Sequence, residues 1–103
     1  MIKIGIFVVA YNAESTIQST LDRIPKNFVS EIYSILISDD QSQDLTSKKA
    51  KEFADRSNLP IDLVVQPLNL GYGGNQKFGY SWAIQNEWDV VVLLHADGQY
   101  APE

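Results

Sequence analysis

The chain has 103 residues, of which 45% are hydrophobic and 20% charged, and its net charge is −5. This length suits one compact domain, and the negative charge argues against a nucleic-acid partner. The absence of cysteine excludes a disulfide scaffold and a cysteine-ligated zinc site, and it fits a cytoplasmic protein. No apolar stretch approaches the ~20 residues needed to cross a bilayer.

The first part of the chain predicts a strand, a helix and a second strand. Residues 2–10 are almost continuously apolar and rich in β-branched side chains, as in a strand buried on both faces. Residues 14–24 predict a helix that a proline ends, and residues 32–38 predict the second strand. The apolar face of the helix consists of Ile17, Leu21 and Ile24.

The second part repeats this alternation. Residues 44–57 predict a helix with Asp44 as its N-cap, and residues 61–66 predict a third strand. Residues 72–86 predict a third helix, and residues 89–94 a fourth strand. The inward face of the third helix is expected to carry Phe78, Trp82 and Ala83.

Strands that alternate with helices of this length predict an α/β, Rossmann-like three-layer sandwich, with a parallel sheet and helices on both faces. Ligands of such sheets bind beyond the carboxyl ends of the strands. The segments that follow the four predicted strands are all polar or glycine-rich: Tyr11-Asn12, Asp39-Asp40, residues 67–74 and residues 95–99.

Asp39 and Asp40 are adjacent carboxylates at the end of the second predicted strand. One interpretation is that one caps the next helix and the other is solvated. The other is that a carboxylate accepts a hydrogen bond from a base N–H or a ribose hydroxyl, as acidic residues at strand ends do in other nucleotide-binding folds.

Residues 69–75 form a glycine-rich turn into a helix, where glycine permits positive φ and the helix N-terminus favours anions. The segment fits neither phosphate motif: Gln76 stands where the dinucleotide fingerprint needs glycine, and Phe78 follows Lys77 where the P-loop needs a hydroxyl residue. A plain structural turn therefore stays open as an alternative.

Residues 95–99 offer oxygen ligands two positions apart, at Asp97 and Gln99. Such ligands suit Mg²⁺ or Mn²⁺ together with phosphate oxygens. His95, the only histidine, is a strand-end residue bonded to backbone, a donor to phosphate, or a further metal ligand.

In this order the four segments resemble the family 2 glycosyltransferases with the GT-A fold, most closely their dolichyl-phosphate mannosyltransferase-like branch. Two departures stand out, Asn75 where the family pattern has alanine and His95 where it has an aspartate. The matching segments are residues 10–14 (AYNAE), 39–46 (DDQSQDLT), 69–75 (NLGYGGN) and 95–103 (HADGQYAPE).

The resemblance implies strand order 3-2-1-4 and makes residues 1–103 the nucleotide-sugar-binding portion of a catalytic domain. It implies that Asp40 contacts the base and that Asp39 orients the loop. A divalent metal, Mg²⁺ or Mn²⁺, is expected on Asp97, Gln99 and His95, where it would neutralise the diphosphate leaving group. The implied nucleotide-binding residues are Ala10, Tyr11, Asn12, Glu14, Asp39, Asp40, Asn69, Gly71, Gly73, Lys77, Ala96 and Asp97.

The donor implied is a UDP- or GDP-linked sugar, and the acceptor a lipid phosphate or a saccharide, with inversion at the anomeric carbon. His95 is expected either to weaken metal binding or to donate directly to phosphate and reduce metal dependence. The family's catalytic base lies downstream of the metal motif, so this chain alone is expected to be inactive. Its last strand is expected to leave an apolar edge that promotes self-association. The full-length protein is expected in the cytoplasm or at the cytoplasmic face of a membrane.

Two other classes of protein fit the sequence less well, and a third stays open. A signalling receiver domain needs its acidic pair after the first strand, whereas here the pair follows the second. A sugar nucleotidyltransferase needs glycines directly after the first strand, and Ala10-Tyr11-Asn12 supplies none. A non-catalytic nucleotide-binding or regulatory module stays open as the alternative.

Overall fold

The computed structural model describes residues 2–24, 31–42 and 44–97, without the side chains of Tyr72 and Asp97. Its four strands form one parallel sheet in the order β3-β2-β1-β4, which confirms the predicted α/β class and strand order. The elements are β1 Ile4–Tyr11, α1 Ile17–Asp22, β2 Ile32–Asp39, α2 Thr46–Arg56, β3 Ile61–Val65, α3 Gly71–Gln85 and β4 Val90–Asp97.

β1 lies at the centre of the sheet and is buried on both faces, as its unbroken apolar sequence predicts. Alternate side chains point to opposite faces, so Ile6 and Val8 enter one layer while Phe7 and Val9 enter the other. Complete burial of such a side chain contributes roughly 1.5–3 kcal/mol, so this strand anchors both layers of the core.

Helices α1 and α2 cover one face of the sheet. The buried side chains Ile17 and Leu21 of α1 meet Ala50 of α2 above Ile35 and Ile37 of β2. The structure therefore confirms the apolar helical face predicted around Ile17.

Helix α3 covers the opposite face, with Phe78, Trp82 and Ala83 directed inward as predicted. It lies very close to β1: a Cβ atom on Gly79 would stand 2.0 Å from the ring of Phe7. Glycine is therefore required at this position for the helix to approach the sheet.

Helices α1 and α2 begin later than their sequence predicts. The predicted ranges, residues 14–24 and 44–57, are therefore too long. Glu14–Thr16 form turns instead, because the backbone there is bonded to the segment after β2. The prediction of Asp44 as the N-cap is wrong, since the N-cap residue is Leu45. Asp44 Oδ1 nevertheless accepts the amide of Thr46 at 3.0 Å and so supports the same helix end.

Strand β4 begins one residue later than predicted and ends three residues later, at Asp97. His95, Ala96 and Asp97 continue the ladder opposite Val9, Ala10 and Tyr11, instead of starting a loop. Their pairing partners lie more than 80 positions away, which a local pattern cannot reveal. Pro25 and Gln99 lie outside the described residues.

No helix in the described part of the chain is long and apolar enough to span a membrane.

Candidate functional site

The carboxyl ends of the strands bring the predicted site segments to one edge of the sheet. The amide of Asp40 donates to Ala10 O at 2.9 Å, and the amide of Gln66 donates to Asp39 O at 2.8 Å. These bonds extend the ladders past the regular strand ends. The segments after β1, β2 and β3 are thereby held side by side at the place where parallel sheets bind ligands.

The segment after β2 accepts the backbone amides of the segment after β1. Ser42 Oγ, Thr46 Oγ1 and Asp44 Oδ2 bind the amides of residues 12, 13 and 14 at 2.8, 2.8 and 3.2 Å. Asn12 has a positive φ of 48°, so the chain turns sharply after β1 and needs these external acceptors. Three residues of the family-like motif at positions 39–46 therefore make hydrogen bonds within the chain.

Glu14 belongs to the same contact between segments. Its Oε1 accepts the amide of Leu45 at 3.3 Å, and its carbonyl oxygen accepts Lys49 Nζ at 3.3 Å. The structure thus directs the carboxylate of this predicted nucleotide-binding residue toward the start of α2.

Asp40 is bonded to the glycine-rich segment. Its Oδ1 accepts the amide of Leu70 at 2.6 Å, and its carbonyl oxygen accepts Asn69 Nδ2 at 3.0 Å. Asn69 Oδ1 in turn accepts the amide of Gly71 at 3.0 Å. One oxygen of the carboxylate predicted to contact the base is therefore used to hold the chain before α3.

The carboxylate of Asp39 has a different environment. The side chain is 1% exposed; Oδ1 accepts the hydroxyl of Ser42, while the buried Oδ2 has no hydrogen-bond partner among the described residues. Burial raises the pKa of Asp39, the hydrogen bonds from Ser42 oppose this, and the nearby charges of Asp44 and Asp40 add to the increase. A buried acceptor without a partner costs folding free energy and marks a candidate functional group.

The pKa of Asp44 is shifted the other way. Partial burial raises it, but hydrogen bonds from the side chain and amide of Thr46 and from the amide of Glu14 outweigh that effect and lower the pKa. Asp44 therefore stays ionised as a structural acceptor.

The start of α3 leaves open space around two glycines. Gly71 has a φ of 76°, which favours glycine, and a Cβ atom on either Gly71 or Gly73 would meet nothing within 4 Å. Lys77 is exposed one helical turn after Gly73. Nothing in the described structure requires Gly73 to lack a side chain.

A buried polar cluster beneath this helix start was not predicted. Asn75 is completely buried; its Oδ1 accepts Ser38 Oγ at 2.5 Å, and its Nδ2 donates to Ser38 O at 3.1 Å. Gln66 Nε2 donates to Ser38 Oγ at 3.0 Å. The sequence signal was Asn75 itself, a polar residue where the family pattern has alanine, but its partners become visible only in the fold.

The end of β4 places the predicted metal segment beside β1. Ala96 is buried opposite Ala10, the backbone of Asp97 pairs with Tyr11, and His95 is exposed opposite Val9. Residues 2–24, 31–42 and 44–97 contain no group of three histidine or acidic side chains arranged to hold a metal ion. The side chain of Asp97 and the whole of Gln99 lie outside the described part of the chain, so the predicted ligand set stays a prediction.

A cavity of about 580 Å³ lies elsewhere, at the end of the sheet where the strands begin. Its apolar walls include Leu21, Phe53 and Leu59. Parallel sheets bind ligands at the carboxyl ends of their strands. We therefore place the functional site at that end of the sheet, opposite this cavity, despite the size of the cavity.

Known proteins resemble this chain in sequence. The model of the family "Glycosyl transferase family 2" matches residues 5–103. A dolichol-phosphate mannosyltransferase from Pyrococcus furiosus is 28% identical over 98% of this chain and 27% of its own length. A polyprenol monophosphomannose synthase from Mycolicibacterium smegmatis is 32% identical over 67% of this chain and 26% of its own length. The chain thus spans about a quarter of the length of these curated relatives.

Solved structures share the fold. S. aureus TarS in complex with UDP superposes with a TM-score of 0.72 at 21% identity, over 92% of this chain and 27% of that one. The complex of TarS with UDP-GlcNAc gives 0.71 at 23% identity, over 92% and 26%. The match of nearly the entire chain to the family model establishes membership: this chain belongs to glycosyl transferase family 2.

Proposed function

We propose that this chain is the nucleotide-sugar-binding portion of a glycosyltransferase that uses a UDP- or GDP-linked sugar. Support comes from family membership and from three interlocked segments at the carboxyl edge of the sheet. TarS, which has the same fold, was crystallised with UDP and with UDP-GlcNAc.

The observation that carries this proposal is the position of Asp39. Its buried Oδ2 is an acceptor without a partner among the described residues, beside Ala10 at the end of the central strand. Uracil and guanine both present ring N–H donors. We propose that such a donor enters between the segments after β1 and β2 and binds Asp39, a role that the family resemblance implies for Asp40.

The other predicted binding residues surround this position. Ala10, Tyr11 and Asn12 line the end of β1, and Ala96 adjoins Ala10 on β4. In this proposal the open space around Gly71 and Gly73 lets the donor approach the backbone, with Lys77 supplying positive charge to its phosphates.

A divalent metal completes the proposal. Asp97, with Gln99 and His95 nearby in sequence, would hold Mg²⁺ or Mn²⁺ together with phosphate oxygens of the donor. When bound, the cation supplies charge neutralisation to the diphosphate leaving group. The register of β4 supports this, because it brings the backbone of Asp97 next to Tyr11.

The finer features of the reaction are proposals of the same kind. Inversion at the anomeric carbon is proposed from the family resemblance, and the names of the two curated relatives favour a lipid-phosphate acceptor. We also propose, from the resemblance alone, that the full-length protein acts in the cytoplasm or at the cytoplasmic face of a membrane. We assign no catalytic base among the described residues, and we expect no sugar transfer by this chain alone. The exposed edge of β4 is proposed to support self-association, since Val90 and Val92 stand on it.

A thermal-shift screen tests the proposed ligand class. UDP, GDP and their sugars should raise the melting temperature, and Mn²⁺ should increase the effect, whereas ADP should not. Equal effects of all nucleotides, or none, would contradict the proposal. Binding without transfer by the full-length protein would favour a non-catalytic module.

A further inference from the structure

The glycine-rich segment, residues 69–75, is fastened to the end of β2 at both of its ends. At the first end Asp40 holds the side chain of Asn69 and the amide of Leu70. At the other end Asn75 makes two hydrogen bonds to Ser38. The two fastening residues, Ser38 in β2 and Asp40 directly after it, flank Asp39, so the glycine-rich segment is bonded to the neighbours of that carboxylate on both sides.

The fastening at Asn75 is made of buried polar groups. Asn75 and Ser38 are each 0% exposed, and Gln66 is 5% exposed. Ser38 Oγ donates to Asn75 and accepts from Gln66, so the cluster joins α3, β2 and the first residue after β3. A buried polar group that loses its hydrogen-bond partner costs free energy of folding. The cluster therefore favours one position of the start of α3.

Two of the residues between the fastenings stand in open space. A Cβ atom on Gly71 or Gly73 would meet nothing within 4 Å, although one on Gly74 would stand 2.9 Å from Leu70 Cβ. The hydrogen bonds at the two ends therefore help to set the position of this stretch relative to Asp39, together with the packing of α3 on the sheet.

We propose that Asn75 is a positioning residue for the donor nucleotide. This inference rests on the proposed function, in which the glycine-rich segment approaches the diphosphate and Asp39 holds the base. By fixing the start of α3 to Ser38, Asn75 sets the distance between these two contacts. Replacing it with alanine should loosen the diphosphate contact and leave the base contact in place.

Calorimetric titration separates this role from a general structural one. The ligands are a nucleoside diphosphate, UDP or GDP according to which the wild type binds, and the matching nucleoside, uridine or guanosine. For Asn75→Ala we expect the diphosphate affinity to fall about tenfold, equivalent to ~1.4 kcal/mol, while the nucleoside affinity changes less than about twofold. Ser38→Ala should give a smaller loss, because Asn75 Nδ2 still reaches the backbone oxygen of residue 38.

Leu59→Ala is the matched control. Leu59 packs against the core under α1 and α2, remote from the segment, so its truncation should lower the melting temperature and leave both affinities unchanged. If Asn75→Ala and Ser38→Ala bind the diphosphate as tightly as this control does, the positioning role is wrong. If Asn75→Ala does not fold, Ser38→Ala alone decides. A wild type that binds neither diphosphate overturns the proposed function and this inference with it.

Discussion

Asp39 and Asp40 are neighbours at the end of β2, yet their carboxylates have different hydrogen-bond partners in the fold. Asp40 is bonded to the amide of Leu70, whereas Asp39 keeps one buried oxygen without a partner among the described residues. The sequence predicts an acidic pair at a ligand-binding edge. It cannot show which of the two carboxylates is hydrogen-bonded within the chain, because the donor lies in a segment thirty positions away.

The titration of Asp39 gives the first prediction. Folding raises its pKa, so the folded chain holds this proton more tightly than the unfolded chain does, and ionisation removes stability as the pH rises above the ordinary value of 3.8. In Asp39→Asn this loss is absent. The free energy of unfolding of the variant, relative to wild type, should therefore increase as the pH rises above about 4 and level off above the raised pKa of Asp39.

Urea unfolding at a series of pH values measures this difference. Asp44→Asn is a useful contrast, because folding lowers the pKa of Asp44 and its contribution is lost as the pH falls. Parallel stability profiles for wild type and Asp39→Asn would show that Asp39 is not destabilised by burial.

Ser42 gives a second prediction at this scale. Its hydroxyl accepts the amide of Asn12 and donates to Asp39, so Ser42→Ala removes a hydrogen bond from the half-buried end of β1 and one from a buried carboxylate. We expect a loss of about 1–3 kcal/mol in the free energy of unfolding. Ser19→Ala removes an exposed hydroxyl on α1 and should cost little by comparison. Equal effects of the two substitutions in denaturant unfolding would count against the network.

At the scale of the elements, the sequence was most informative for segments that bury a regular apolar face. All seven elements and their order were predicted, because strands and helices here have clear periodicities. The errors fall at ends fixed by distant partners: β4 continues to Asp97 by pairing with β1, and α1 begins only at Ile17 because the turn before it bonds to the segment after β2. The buried cluster at Asn75 was not predicted, because its partners Ser38 and Gln66 are also distant in the sequence.

Two glycines of α3 provide a prediction about helix packing. Gly79→Ala places a methyl group against the ring of Phe7, and we expect a loss of about 1–3 kcal/mol in stability from overpacking. Gly73→Ala meets open space and removes a flexible residue from a helix, so it should add about 0.5–1 kcal/mol.

Thermal unfolding of the two variants tests the packing, and nucleotide titration of Gly73→Ala adds a test of function. A more stable Gly73→Ala protein with weaker diphosphate binding would place the ligand at this backbone. Destabilisation by Gly73→Ala would show that its surroundings are not open.

At the scale of the whole molecule, the sheet has one edge at β3 and another at β4. Val90 and Val92 are 43% and 38% exposed on β4, and an uncovered apolar edge promotes strand pairing between chains. We predict concentration-dependent self-association, reduced in Val92→Lys because charge on an edge opposes pairing. Light scattering over a range of concentrations measures this, with Val65→Lys on the opposite edge as the comparison. Monomeric wild type at high concentration would contradict the prediction.

The central claim is that a nucleoside diphosphate binds at the carboxyl edge of this sheet, and mapping of amide chemical shifts tests it most directly. On titration with UDP or GDP, we expect the largest shifts at Tyr11, Asp39, Gly71 and Ala96. Amides around the cavity near Leu21 and Phe53, at the opposite edge, should stay unchanged. Shifts centred on that cavity, or none at the carboxyl edge at saturating nucleotide, would contradict the account.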